Sequence, residues 1–337
     1  MSSNRDVQLP AEPLAAASTA AGPEFIKLRV ADKRVLAGGT YLFELRHTDD
    51  KPLPAFTAGA HLTVQTPNGM RRNYSLCSSP ASTDHYQIAV KRDSAGRGGS
   101  QSMADDVQTG DFLAVSAPRN NFELHPRATE FLFVAGGIGI TPILSMMHHL
   151  RAQGNDNFRL IYCTRNADST AFLDELSDPA LAGRVQVHHD NGNIDDALDL
   201  WPIFEVPGKA HVYCCGPRGL MDAVADMSGH WPSGSVHFES FGVDASTHAA
   251  NTAFSVRLEK SGLSIPVAAD QSILEALRAA GLRVPSSCES GTCGSCRTRL
   301  VSGMAEHRDR VLSDEEKTGN IMVCVSRAQS DELVLDL

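Results

Sequence analysis

The sequence predicts a multi-domain fold of three consecutive units: a small antiparallel β-barrel, an α/β unit on a parallel sheet, and a compact C-terminal unit built around clustered cysteines. Three observations carry this. Short alternating strands with almost no helix fill residues 25 to about 124. From about residue 127 to 241, apolar strands alternate with helical stretches. Four of the eight cysteines then fall within 37 residues near the C-terminus.

In the first unit FIKLRV, TYLFELRH, HLTVQT, YQIAVKR and FLAVSA read as strands, and Asn68-Gly69 between two such runs marks a tight hairpin. In the second, FLFVA, FRLIYCT, RVQVHH, HVYCC and SVHFES are the strands. TPILSMMHHLRAQ and GLMDAVADMSG are the helical connections that a parallel sheet needs. In the third, SVRLEK and SIPVAA form a hairpin. Asp270 is expected to cap a helix through Ile273, Leu274, Leu277 and Ala280, with Gly281 as its stop, and ELVLDL closes the chain as a strand. The expected boundaries are 25–126, 127–241 and 253–337. A disordered tail rich in Ala, Ser and Pro covers 1–24, and a small polar linker covers 242–252.

Composition narrows the function. The 337 residues are 42% hydrophobic and 21% charged, with a net charge of −10, which disfavours sequence-independent binding to nucleic acid. Phe131 to Leu150 has no formal charge over twenty residues, but its glycines, Pro142 and two histidines fit a strand, turn and helix better than a membrane span. The N-terminus lacks the pattern of an export signal, so a cytoplasmic location is expected, where cysteines more often hold metal or do redox chemistry than form disulfides.

The cysteine spacing is Cys288-x4-Cys293-x2-Cys296-x27-Cys324, the plant-type [2Fe–2S] pattern. Three thiolates on one loop can wrap two bridged irons while the fourth arrives from elsewhere. The small residues Ser290, Gly291, Thr292, Gly294 and Ser295 let backbone N–H groups approach the sulfurs. The alternatives are buried free thiols or a zinc site, although structural zinc sites usually pair two C-x2-C units and the second is missing here. Cys77, Cys163 and Cys214 read as small core hydrophobes.

Two anion-binding signals lie upstream. Arg72-Asn73-Tyr74-Ser75, Ala89-Val90-Lys91 and Gly98-Gly99-Ser100 combine a guanidinium fork, a flat aromatic ring and the glycine-rich start of a helix. Gly136-Gly137-Ile138-Gly139-Ile140-Thr141-Pro142 sits between a strand and a helix, where a parallel sheet binds a pyrophosphate. Gly137 and Gly139 fit the first two glycines of a dinucleotide fingerprint, but Pro142 takes the place of the third. Cys215-Gly216-Pro217 and His237-Phe238-Glu239-Ser240-Phe241 end two further strands at the same edge.

With the C-terminal cysteines, these motifs occur in a fixed order that resembles the phthalate dioxygenase reductase family and its vanillate O-demethylase reductase relatives, within the ferredoxin–NADP reductase superfamily. The likeness covers about residues 25–337. It implies an FMN-binding β-barrel, an NAD-binding α/β domain and a β-grasp ferredoxin domain with FMN, NADH and a [2Fe–2S] cluster as cofactors. The electron acceptor would be a separate terminal Rieske non-haem iron oxygenase acting on an aromatic carboxylate such as phthalate. The same likeness assigns Arg72, Asn73, Tyr74, Ser75, Ala89, Val90, Lys91, Gly98, Gly99 and Ser100 to the flavin. Thr141 and Phe241 would lie near its ring, and Gly137, Gly139, Pro142, Cys215 and Gly216 would position NADH. Arg165 is expected at the adenosine ribose, Ser75 as a hydroxyl near the reacting flavin nitrogen, and Cys215 as a soft side chain beside the nicotinamide. Rival readings are a reductase for a vanillate- or carnitine-type oxygenase, or a non-enzymatic iron–sulfur redox sensor. The latter leaves the flavin and nucleotide motifs idle.

Overall fold

The structure, a computed structural model, describes residues 25–96, 98–232, 234–241, 251–286 and 288–337. The tail expected at 1–24 and most of the expected linker (242–250) lie outside the described residues.

The first unit has strands β1 (Phe25–Ala37), β2 (Thr40–His47), β3 (His61–Gln65), β4 (Arg71–Ser75), β5 (Tyr86–Lys91) and β6 (Phe112–Ser116), with helix α1 (Gly99–Asp106) before the last. They form one sheet in the order β4-β3-β6-β1-β2-β5. An antiparallel bridge from Leu76 to Ile88 joins the two edges, which removes both as open edges. Alternation explains the barrel: Leu28, Phe43, Leu62, Ile88 and Val115 point inward and are buried. Asn68-Gly69 turns β3 into β4 as expected, with Gly69 at φ +82°. The first strand is longer than its FIKLRV segment. Two register shifts, at Val30/Asp32 and Val35/Ala37, let it bend through ADKRVLA and stay paired with β2.

The second unit has five parallel strands: β7 (Phe131–Gly136), β8 (Phe158–Thr164), β9 (Val185–His189), β10 (His211–Cys215) and β11 (Val236–Glu239). Their order is β11-β10-β7-β8-β9. Helix α2 (Ile140–Ala152), the short turns α3 (Leu173–Leu176) and α4 (Trp201–Phe204), and α5 (Arg218–Met227) connect them. The uncharged stretch 131–150 is thus a strand, a 3₁₀ turn and a helix. No helix among the described residues is long and apolar enough to cross a membrane.

One apolar core joins these two units. Leu42, Cys77, Ala89 and Phe122 pack with Phe131, Phe133, Ile140 and Met146, and the buried Ser145 hydroxyl donates to the Ser78 carbonyl at 3.0 Å. Burial of this kind fixes the barrel against β7 and helix α2.

The third unit has β12 (Phe254–Leu258), β13 (Ser264–Val267), helix α6 (Ile273–Ala279), β14 (Arg297–Ser302), β15 (Ala305–Glu306), helix α7 (Asp314–Lys317), β16 (Asn320–Met322), β17 (Arg327–Ala328) and β18 (Glu332–Leu335). The last strand pairs parallel to β12, in a mixed sheet of order β13-β12-β18-β14-β16. Ile273, Leu274 and Leu277 of α6 share its core, which gives the grasp-like wrap. The helix cap differs from expectation: Ser272, not Asp270, caps α6. Its hydroxyl accepts from Glu275 N, and the Glu275 carboxylate accepts from Ser272 N. This reciprocal pair satisfies two otherwise orphaned donors, which Asp270, two residues earlier, cannot do.

Candidate functional site

The barrel presents β4 and the start of α1 side by side. At Gly99 any Cβ would lie 2.9 Å from Cγ and Nε of Arg72, so the guanidinium stem lies across the glycine that opens the helix. Gly98 precedes it at φ +89°, a turn that a side chain would strain. The Ser100 hydroxyl accepts from Asp93 N, and Asn73 Oδ1 accepts from Thr63 at 2.8 Å. Ala89 and Val90 are buried, while Lys91 reaches the surface. Tyr74 is the informative residue. Its hydroxyl is buried without a hydrogen-bond partner among the described residues, and burial pushes its pKa up to about 12. An orphaned buried donor beside a guanidinium and a helix start fits a ligand carrying both a ring and a phosphate.

Glycine spacing on the second unit is set by packing as well as by ligand access. A Cβ on Gly139 would lie 2.2 Å from the Cys215 carbonyl oxygen, and one on Gly136 would lie 2.5 Å from Pro217 Cδ. The turns after β7 and β10 therefore touch through backbone. Gly137, at φ +52°, has nothing within 4 Å of a Cβ position, and its carbonyl accepts from the Tyr162 hydroxyl at 3.0 Å. Gly137, Gly139, Gly216 and Phe241 face a cleft of about 370 Å³. Thr141 and Pro142 do not face it. They are buried in the first turn of α2, where the Thr141 hydroxyl donates to Ile138 O. Arg165 is exposed at the end of β8 and also stands outside the cleft lining.

Ser75 ends β4, and Glu239 ends β11 beside its register partner Cys215. The Ser75 hydroxyl donates to Glu239 Oε2 at 3.4 Å across the junction of the two units. Glu239 is 8% exposed, and burial raises its pKa to about 8, so near neutral pH this carboxyl holds a proton. Cys215 is 0% exposed, and burial holds its thiol protonated. It does not line the cleft: it lies behind the glycine turn, with its backbone carbonyl against Gly139. Ser75 and Cys215, singled out from the sequence, are thus brought together by a residue that was not. The sequence places Glu239 at the carboxyl end of a strand, on the ligand edge of the sheet, but carries no local signal of its contact with Ser75.

The four cluster cysteines sort into two pairs. Hydrogen bonding with Cys293 lowers the Cys288 thiol, and hydrogen bonding with Cys324 lowers that of Cys296. Two thiol pairs suit two irons, each taking two thiolates. The loop brings backbone N–H groups to sulfur: Cys288 N donates to Cys293 Sγ at 3.4 Å and Ser290 N to Cys288 Sγ at 3.5 Å. Gly291, at φ +76°, leaves no room for a side chain, because a Cβ would lie 2.7 Å from Val325. The other three thiols are ordinary. Burial raises Cys77, Cys163 and Cys214 alike.

The chain is 59% identical to a phthalate 4,5-dioxygenase oxygenase reductase subunit of Pseudomonas putida, over 93% of this chain and 97% of that one. It is 57% identical to the phthalate dioxygenase reductase of Burkholderia cepacia, over 93% and 98%. The chain belongs to the phthalate dioxygenase reductase family.

A solved phthalate dioxygenase reductase, described as a modular structure for electron transfer from pyridine nucleotides to [2Fe–2S], superposes with a TM-score of 0.73 at 57% identity. The match covers 93% of this chain and 98% of that one. Family models match each unit in turn. They are an oxidoreductase FAD-binding domain at 27–124, an oxidoreductase NAD-binding domain at 133–226 and a 2Fe-2S iron-sulfur cluster binding domain at 256–329. As a member of this reductase family, the chain is an oxidoreductase whose redox groups are a flavin, a nicotinamide nucleotide and a [2Fe–2S] cluster. Both of these relatives are named as reductases of a phthalate dioxygenase system.

Proposed function

We propose that the chain takes electrons from NADH and passes them through FMN and the [2Fe–2S] cluster to a separate Rieske-type non-haem iron oxygenase acting on an aromatic carboxylate such as phthalate. The observation that carries this is the meeting of three units at one place. Ser75 of the barrel contacts Glu239 of the sheet, and one residue further the Ser240 carbonyl accepts from Ser290 of the cysteine loop. The substrate class follows the two relatives above, both named for phthalate. The proposed domain boundaries are 25–126, 127–241 and 253–337.

A bound flavin converts between accepting a hydride and giving single electrons, and a [2Fe–2S] cluster takes one electron at a time. The chain's own residues bind, orient and shield. Arg72 and the N–H groups of Gly99 and Ser100 hold the phosphate, with Asn73, Ala89, Val90 and Lys91 along the same wall and the Tyr74 hydroxyl gaining the partner it lacks. With flavin bound, the protonated Glu239 would donate to the Ser75 oxygen in place of accepting from it, which turns the one Ser75 proton toward the reacting edge. Phe241, 46% exposed at the cleft, covers the ring face. Gly137, Gly139 and Gly216 leave backbone room for the dinucleotide. Thr141 and Pro142 shape the turn beneath it, Cys215 lies behind the glycine turn, and Arg165 meets the adenosine end. Cys288, Cys293, Cys296 and Cys324 hold the cluster.

Release of the flavin by acid and its identification by mass separates FMN from FAD. FMN is expected, and FAD overturns that part of the reading. Reconstitution with purified Rieske oxygenases for phthalate, vanillate and carnitine then fixes the acceptor. Fastest NADH-dependent turnover with the phthalate enzyme is expected, and preference for either of the others reassigns it.

A further inference from the structure

The cleft at the carboxyl edge of the parallel sheet has a wall that the nucleotide unit does not supply. Gly137 and Gly216 bound one side, and Thr292 and Arg310 of the cluster-bearing unit bound the other. The Arg310 guanidinium lies over the Phe238 ring of β11, 5.3 Å from its centroid, and donates to Asp222 Oδ1 on α5. The same Asp222 lies 3.5 Å from Nε of Arg218, one turn earlier on that helix, and Arg218 also faces the cleft. Two guanidinium groups thus share one carboxylate at the mouth of a cleft whose floor is a glycine turn opening a helix. Arg310 is positioned by its ring contact rather than loose, with 22% of its side chain exposed. The local charge is net positive, and the ligand expected at that glycine turn carries a diphosphate. A guanidinium binds phosphate oxygens in a planar, two-pronged geometry.

We propose that Arg310, from the cluster-bearing unit, binds the phosphates of the nicotinamide dinucleotide across this cleft, with Asp222 as the internal anion that competes for it. The inference rests on reading the cleft as the nicotinamide-nucleotide site. It makes the dinucleotide a bridge between the second and third units, so that nucleotide affinity and seating of the cluster-bearing unit are linked. The charge arrangement gives a signature. Removing the Arg310 charge leaves Asp222 facing the phosphates with only Arg218 to offset it. Removing the Asp222 charge leaves two arginines unopposed. The two changes therefore shift affinity in opposite directions, whereas an ion pair that only holds the two units together weakens binding whichever partner is lost.

The test is calorimetric titration of NAD⁺ into the full-length, flavin- and cluster-loaded protein at low and moderate salt, with melting temperatures recorded without nucleotide to establish that each variant is folded. For Arg310→Gln the dissociation constant is expected to rise about tenfold and its salt dependence to flatten. Arg310→Lys should recover part of that loss, and Asp222→Asn should tighten binding by about two- to threefold. The proposal is overturned if Arg310→Gln binds NAD⁺ as the unaltered protein does, or if Arg310→Gln and Asp222→Asn both weaken binding. Failure of the unaltered protein to bind NAD⁺ at all would instead remove the nucleotide reading of the cleft, and this inference with it.

Discussion

Ser290 on the cysteine loop donates its hydroxyl proton to the backbone carbonyl of Ser240, 2.8 Å away, at the end of the last strand of the parallel sheet. The neighbouring residue on that strand, Glu239, accepts from Ser75 of the barrel. Two hydrogen bonds on adjacent residues therefore tie the flavin-binding, nucleotide-binding and cluster-binding units to one strand end.

Ser290→Ala removes the tie between the loop and the strand. A single hydrogen bond of this kind contributes about 1 kcal/mol, so the fold survives while the cluster is held less firmly beside the sheet. Stopped-flow mixing with NADH should show flavin bleaching at the unaltered rate and cluster reduction slowed several-fold. Equal slowing of both phases would place Ser290 in the nucleotide site.

Ser75→Ala should act on the first phase. Loss of one oriented donor at a reacting edge costs on the order of 100-fold in rate. Flavin bleaching by NADH is therefore expected to slow by that amount with little change in NAD⁺ affinity, as read by stopped flow and titration.

Glu239 makes a pH-dependent contribution. Its folded pKa, about 8, stands above the ordinary carboxyl value of 4.5 because burial penalises the charge. The unfolded chain therefore gives up this proton first. The contribution is fully present below about pH 4.5, declines as pH rises, and is lost above about pH 8. Glu239→Gln removes that dependence. The melting temperature of Glu239→Gln relative to the unaltered protein should rise steadily between pH 5 and 8. A constant difference across that range would mean that the carboxyl titrates normally.

Tyr74→Phe deletes a buried hydroxyl that has no hydrogen-bond partner among the described residues. Without ligand, the change should leave stability unchanged or slightly raised, since an unsatisfied polar group is removed. With flavin, one hydrogen bond is lost, and flavin affinity should fall roughly threefold to tenfold. Fluorescence titration of flavin into the stripped protein, with melting curves in both states, checks both.

Gly139→Ala and Gly137→Ala separate packing from ligand access. At Gly139 the new methyl would lie 2.2 Å from a backbone carbonyl, so the turns after β7 and β10 must part, at a cost of about 1–3 kcal/mol or more. At Gly137 there is open space, and only the positive φ is strained, at about 1 kcal/mol. Urea denaturation should therefore rank Gly139→Ala well below Gly137→Ala in stability.

Much of this was legible in the sequence because strong local signals agreed. Period-2 alternation marked the barrel strands, Asn68-Gly69 marked their hairpin, and fully apolar runs such as FLFVA marked strands buried on both faces. The cysteine spacing identified its loop. What was not legible depended on contacts between units. Arg310 lies 88 residues from Asp222 in the chain, and Glu239 is 164 residues from Ser75, so no local pattern signals either pairing. The helix cap is ambiguous in the sequence for a local reason: Asp270 and Ser272 are both good capping residues, and only the reciprocal bond with Glu275 selects Ser272.

An anaerobic titration of the purified protein with NADH, followed by visible absorption and electron paramagnetic resonance, tests the central claim most directly. If the three groups lie in one electron path, the flavin bleaches and the signal of a reduced [2Fe–2S] cluster grows. Both should be complete at about 1.5 equivalents of NADH, because the flavin takes two electrons and the cluster one. A flavin that bleaches while the cluster stays oxidised, or a spectrum that NADH leaves unchanged, would contradict it.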